Sequence, residues 1–404
     1  MKYVIRCLLL ALLTTFWSVA QTPMRSNVLR EAAKRAGVVP LLDIQVATDP
    51  DVAAVGEKLF ESTLLSFNGD TSCQTCHLDK FSSADGLPNA IGTGGHGEGS
   101  ERLNGPGDIV PRNTLALWGR GTIGFNTFFW DGKVSFQEDA ITSQFGDQPP
   151  SDDPLVVAVH LPFVEIREMV VRDKGVREEY EQESVDAALE IYEELVSRIK
   201  QDESLAEELS LAFGITVKEL KFLHIAEAVA TFIRYKFSVT ETKFNTFMFL
   251  EGSLSEEEVA GGLLFYGKAR CSTCHSGPLL SDLDFHVMPF EQAGFGKNGF
   301  GIDYGRFNAT RDPNDTYYFR TPPLINVLHT APYSHSGSIA KLEDMIRVHV
   351  DPLANYDGRT KTPIQRREDL TRLRLWVGDS TPAEPLIDSE ISAIAAFLAT
   401  QSTP

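Results

Sequence analysis

Cys73-Gln-Thr-Cys76-His77 decides how this sequence is read, and Cys271-Ser-Thr-Cys274-His275 repeats it in the second half of the chain. Cys-x-x-Cys-His is the attachment pattern of c-type haem, in which two thiols bond to the porphyrin vinyl groups and the neighbouring imidazole reaches the iron. Two other chemistries use paired cysteines. A structural zinc site built from both pairs would leave His77 and His275 as coincidences, and a thioredoxin-like redox pair needs no histidine there. Two haems, held by Cys73, Cys76 and His77 and by Cys271, Cys274 and His275, account for every one of these residues.

Outward from the motifs, the 404-residue chain is 42% apolar, enough for two domains with a core each. Its first residues have the layout of a secretory signal over 1–20: Lys2 and Arg6, an apolar run from Leu8 to Val19, and the small residues Ser18-Val19-Ala20 before Gln21. That run is short for a bilayer span and no later one is long enough, so an exported, periplasmic protein without a membrane span is expected. Cys7 falls inside this segment and the other cysteines belong to the haem motifs, which leaves none for disulfides. A formal net charge of −19 argues against nucleic acid or anionic membrane as a partner. It suits a basic redox protein, although acidity that only keeps the chain soluble accounts for it equally well.

The surroundings of the two motifs also repeat. Gly56-x-x-Leu59-Phe60 precedes the first and Gly261-x-x-Leu264-Phe265 the second, and each motif is followed by an amphipathic alanine-rich stretch, Ile225 to Ile233 and Ile391 to Leu398. A duplication at this scale predicts an all-α fold of two cytochrome c-like domains with long irregular loops, residues 21–240 and 241–404. The helix before each motif is expected to pack on the one that closes its unit. Asp49 and Pro50 mark a helix start ahead of Val52, Val55, Leu59 and Phe60, and Ser184 to Phe213 reads as helical scaffold. The glycine-rich stretches Ile91 to Gly107 and Gly294 to Gly305 read as loops. His96, in the first, is either a switchable iron ligand or a solvent-exposed loop residue. Phe128-Phe129-Trp130 reads as core. On the predicted helix Leu342 to Val350, Met345 and His349 lie four apart on one side, and either could reach an iron.

Taken in order, these motifs resemble the bacterial di-haem cytochrome c peroxidase family, which includes the tryptophan-modifying MauG branch. The residues that carry the resemblance span nearly the whole chain: the two Cys-x-x-Cys-His motifs, Arg112-Asn113, Phe129-Trp130-Asp131-Gly132, Arg167-Glu168-Met169, Ser276-Gly277-Pro278, Phe319-Arg320-Thr321-Pro322, and Ala331-Pro332-Tyr333-Ser334-His335-Ser336-Gly337. The resemblance implies a peroxide-reacting haem on the N-terminal side and an electron-entry haem on the C-terminal side. It makes His77 the proximal ligand of the first haem and His96 its detachable distal histidine. Glu168 becomes the distal acid that passes a proton between the peroxide oxygens, and Trp130 an aromatic bridge for electrons. Asn113, with the carbonyls of Thr321 and Pro323, becomes a possible calcium site.

Three departures from the family pattern stand out. The methionine or tyrosine that members place after the His-x-Gly turn falls at His349, whose imidazole is expected to lower that haem's potential. The distal glutamine falls at Ala158. The segment from Asp131 to Glu168 and the acidic helical stretch after it are longer than in compact members. The expected function is reduction of hydrogen peroxide with electrons from a small cytochrome c or cupredoxin. A MauG-like oxidation of a protein or peptide side chain is the alternative, and a non-catalytic di-haem electron carrier is a third.

Overall fold

The computed structural model describes residues 23–170, 184–354, 356–379 and 383–404; the expected signal segment, with Cys7, lies outside them. Helices dominate. The first half holds α1 (23–35), α2 (Pro50–Glu61), α3 (Cys73–Cys76), α4 (Pro154–His160), α5 (Val185–Gln201), α6 (Glu203–Phe213) and α7 (Phe222–Lys236). The second holds α8 (Lys243–Phe249), α9 (Glu256–Tyr266), α10 (Phe307–Thr310), α11 (Leu342–Val350), α12 (Pro363–Asp379) and α13 (Asp388–Ala399). No helix among the described residues is long and apolar enough to cross a membrane.

Local chemistry starts these helices where the sequence places them. The Asp49 carboxylate accepts from the amides of Asp51 and Val52 at 2.9 and 3.3 Å and Pro50 follows it, so α2 begins with two otherwise orphaned donors satisfied. The scaffold stretch Ser184 to Phe213 is two helices, because Asp202 ends α5 and caps α6 through the Leu205 amide.

The duplication is visible in the packing. α2 lies on α7 and α9 lies on α13, backbone against backbone. A methyl group at Gly56 would fall 2.0 Å from the Ala228 carbonyl oxygen, and one at Gly261 would fall 1.8 Å from that of Ala393. Glycine at the head of each Gly-x-x-Leu-Phe therefore sets how closely each helix pair approaches. Leu59, Phe60, Val229 and Phe232 bury themselves at the first crossing, and Phe265, Ile394 and Phe397 at the second. Each such side chain stabilises its crossing by about 1.5–3 kcal/mol relative to exposure.

Two features depart from the sequence expectation. Leu29 and Ala33 of α1, with Val38, join the second core, so the first residues of the expected 21–240 unit pack with the end of the chain. The fold is also not purely α. Thr127–Phe128, Val134–Gln137 and Ala140–Thr142 form a small antiparallel sheet, and Phe285–Val287 pairs with Tyr318–Arg320. These strands cover the junction of the halves, where the Arg320 amide donates to the Trp130 carbonyl and the Arg320 Nε to that of Phe129, both at 2.9 Å. Backbone groups buried between helices need partners, and short ladders supply them.

Candidate functional site

Each Cys-x-x-Cys-His motif opens onto its own cavity. The C-terminal one, about 470 Å³, is lined by Cys271, Cys274 and His275 on one side and by Met345 and His349 of α11 on another. The rings of His275 and His349 face each other with centroids 6.3 Å apart. His275 Nδ1 donates to the Leu280 carbonyl at 3.0 Å and His349 Nδ1 to that of Met345 at 2.7 Å. A carbonyl can only accept, so each Nδ1 carries the hydrogen and each Nε2 keeps its lone pair, the orientation a metal-binding imidazole requires. Two imidazoles that share one metal at about 2 Å from each nitrogen hold their ring centres about 6 Å apart, as here. Of the two candidates on α11, His349 is the one whose ring faces His275, while Met345 lines the same cavity.

The N-terminal cavity, about 190 Å³, is lined by Cys73, Cys76, His77, Ala158 and Glu168 among others. His77 repeats the pattern of its counterpart: Nδ1 donates to the Ser83 carbonyl at 2.8 Å, and burial pushes the imidazole down to about 4, so it is neutral. No second imidazole lines this cavity among the described residues. What it offers instead is Glu168, whose carboxyl is pushed up to about 7 by burial and then by the charge of Glu165.

His96 does not reach this cavity. It is exposed, and the loop around it is pinned: the buried Arg102 guanidinium donates to the carbonyls of Ile91, Gly92, Gly95 and Gly97 at 2.6 to 3.3 Å. The glycines serve a different end. A methyl group at Gly92 would fall 1.8 Å from the Arg167 carbonyl oxygen, so the loop can pass against the turn that carries Glu168 only without a side chain there.

Trp130 is buried at the junction, and with Asn113 and Thr114 it lines both cavities. Its indole Nε1 donates to the Asn113 carbonyl at 2.9 Å, which fixes the ring. Behind it Arg112 joins Asp131 at 2.6 Å and Asp303 at 2.7 Å, a buried ionic link between the halves.

The cavities can be tested for haem. Burial raises the thiols of Cys73 and Cys271 to about 12 and that of Cys76 further, so they stay neutral, and the two pairs line separate cavities. A single zinc site built from both pairs is therefore not formed. Arg120 lines the first cavity and Arg320 the second, each with a terminal nitrogen that has no hydrogen-bond partner. Burial lowers Arg120 to about 10; burial, then the charge of Arg120, lowers Arg320 to about 9. Two buried guanidiniums, of which only Arg320 feels a carboxylate, that of Asp282, call for acidic partners, and the propionate groups of a haem are acids of that kind. Facing imidazoles, neutral thiols and orphaned guanidiniums all fit haem.

Calcium fits less well. The Thr321 carbonyl already accepts from Ser281 Oγ at 2.7 Å and from Arg320 at 3.2 Å, and the Asn113 amide donates to the Leu87 carbonyl at 2.8 Å. A guanidinium at the Thr321 oxygen opposes a second cation there, while the Asn113 hydrogen bond uses Nδ2 and leaves Oδ1 unused.

Comparison with known proteins decides the family. A sequence profile described as di-haem cytochrome c peroxidase matches residues 50–253, half of the chain. The chain belongs to the di-haem cytochrome c peroxidase family. It is thus a haem-dependent oxidoreductase of the peroxidase type, and two haems are the family's cofactors. The cytochrome-c peroxidase IdrP1 of Pseudomonas sp. (strain SCT) is 26% identical over 83% of this chain and 82% of that protein. The methylamine utilization protein MauG of Methylorubrum extorquens is 27% identical over 74% and 68%. The diheme peroxidase BthA from Burkholderia thailandensis E264 shares the fold, with a TM-score of 0.63 at 19% identity over 91% of this chain and 89% of that one.

Some residues of these cavities escape sequence reasoning. Lys133 and Lys297 both pair with Glu165 in the N-terminal cavity, at 2.6 and 3.3 Å, although one follows Trp130-Asp131-Gly132 and the other sits in the second glycine loop. Arg120 and Arg320 belong to no motif that marks an acid-binding group. The only signal available was their charge, which most surface residues share.

Proposed function

We propose that this chain is an exported, periplasmic di-haem peroxidase that reduces hydrogen peroxide to water with electrons from a small cytochrome c or cupredoxin. In this reading Cys73 and Cys76 tether one haem and Cys271 and Cys274 the other. The observation that carries it is the inequality of the cavities: His275 faces His349, whereas His77 shares its cavity with the Glu168 carboxyl and, among the described residues, no other imidazole. A haem bound beside His77 would supply an iron at which peroxide could be reduced, and no second imidazole among the described residues lines that cavity.

The chain's own groups do the rest. His77 and the pair His275 and His349 hold the metals through Nε2, each fixed by the carbonyl at its Nδ1. Glu168, in anionic form, accepts a proton from one peroxide oxygen and returns it to the other as water leaves. Burial suits it to both tasks, since a carboxyl near 7 gives up and takes a proton at similar cost. Trp130 lies where an electron must cross from one cavity to the other. Arg120 and Arg320, each with a buried terminal nitrogen left unpartnered among the described residues, would receive the haem carboxylates.

The test is an electron paramagnetic resonance spectrum of the oxidised protein with steady-state turnover of peroxide and a reduced small cytochrome. A high-spin signal beside a low-spin bis-imidazole one, with rapid turnover, supports the proposal. Similarity to MauG and the methyl group of Ala158 in place of an amide favour one rival, in which peroxide oxidises a side chain of a protein. Slow turnover with a mass change in a partner protein would select it. A haem spectrum that peroxide leaves unchanged in either oxidation state would select a plain electron carrier.

A further inference from the structure

Glu165 and Glu168 line the N-terminal cavity three residues apart, in unlike surroundings. Glu165 accepts from Lys133 at 2.6 Å and from Lys297 at 3.3 Å. Glu168 has no ion-pair partner among the described residues. The two lysines come from opposite halves of the molecule. Lys133 is mostly buried over the Phe129 ring, 4.6 Å from its centroid. Lys297 is delivered by the loop from Gly294 to Gly305.

That loop is built to deliver it. At its start Gln292 Oε1 accepts from the buried His335 Nε2 at 2.9 Å, and Ala293 N donates to Ser336 Oγ at 3.0 Å. Phe295 lies 5.0 Å under the Arg167 guanidinium, on the turn that carries Glu168. Gly296 has φ +70°, and a methyl group there would fall 2.1 Å from the Ile302 carbonyl oxygen, so only glycine closes the loop this tightly. The second half thus reaches across to place one ammonium in the first half's cavity.

We propose that Lys297 is a positioning residue for the peroxide reaction: it locks Glu165 into an ion-paired triad with Lys133 and leaves Glu168 as the carboxyl free to exchange a proton. The triad carries one net positive charge beside Glu168, and that charge opposes the burial that would otherwise keep Glu168 protonated. The directions agree. The lysines hold Glu165 well below the usual carboxylate range, and both pull Glu168 down against burial and Glu165. The other titratable groups that sense Glu168 are the thiols of Cys73 and Cys76, which cease to titrate once bonded to haem.

The inference rests on the assignment of Glu168 as the proton carrier, so Glu168→Gln is measured beside the lysine variants. The holoprotein with Lys297→Gln is titrated, following the protonated carboxyl band that Glu168→Gln removes from the infrared difference spectrum and the pH profile of the peroxide reaction. Loss of one positive charge is expected to raise both midpoints by about one pH unit, a rate about tenfold lower on the acid side. Lys297→Arg is expected to restore them. The low-spin signal of the second haem reports that the fold is intact, and Lys297→Met gives the same charge loss if the glutamine variant loses that signal. Unmoved midpoints in a folded, charge-deleted variant, or no restoration by arginine, would overturn the role of Lys297 while Glu168 stands. A Glu168→Gln variant that reacts as fast as the unaltered protein would overturn both.

Discussion

His275 looks across its cavity at a second imidazole; among the described residues none lines the cavity of His77, where Glu168 stands instead. Up to that point the two halves match. In each, a glycine lets the helix before the motif touch the closing helix, and in each the motif histidine gives its Nδ1 hydrogen to a carbonyl five or six residues on. The divergence comes from the wall that the motif does not supply. α11 brings His349, whose ring faces that of His275. The turn after α4 brings Glu168, which lines the other cavity with Ala158 and His77. The two cavities therefore differ in the second wall and not in the repeated motif.

Removing the carboxyl tests that contrast hardest. Glu168→Gln is expected to slow the peroxide reaction by about 10²–10⁴-fold, the usual worth of a positioned acid–base group, with both haems retained; stopped-flow absorbance measures it. The same group sets a pH dependence. Burial and Glu165 raise its carboxyl to about 7, and it must be anionic to take the first proton, so the rate is expected to rise with pH and to reach half its plateau near that value. A profile without that limb would remove Glu168 from the chemistry.

The other wall is probed through His349. Its replacement by alanine is expected to abolish the low-spin bis-imidazole signal and leave the signal of the His77 centre in place. Methionine at the same position is expected to keep six ligands and raise the haem potential, because methionine favours reduced iron; a redox titration reads the direction. Survival of the bis-imidazole signal in the alanine variant would break the comparison outright.

What the halves share is tested by their glycines. Gly56→Ala and Gly261→Ala each push a methyl group onto a carbonyl oxygen of the facing helix, at 2.0 and 1.8 Å. Each overlap is expected to cost about 1–3 kcal/mol, offset in part by the roughly 1 kcal/mol that alanine gains over glycine in a helix. On thermal unfolding, the haem signal lost first is expected to be that of the altered half. Equal loss of both signals in both variants would mean that the junction unfolds the molecule as one.

How much of this was readable in advance differs from residue to residue. The haem motifs, the helix starting at Asp49 and Pro50 and the pairing of Gly-x-x-Leu-Phe with an alanine-rich helix are local patterns, and the helices and their pairing formed as read. His349 was one of two candidates, since helical spacing places Met345 on the same side; only the facing ring of His275 separates them. His96 was left between an iron ligand and an exposed loop residue, because a glycine-rich stretch carries no periodicity; the structure has it exposed, on a loop that Arg102 fixes through four carbonyls. Leu29 and Ala33 were assigned to the first half by their position in the chain, but packing placed them in the second core.

By itself the sequence determined which groups stand together, two thiols and an imidazole each time, because they are neighbours along the chain and their spacing is fixed by covalent geometry. Only the tertiary structure decided which cavity is closed by an imidazole, which by a carboxyl, and that a lysine of the second half reaches Glu165 in the first. Groups far apart in the chain meet by the packing of helices and loops between them, and no local pattern records that distance.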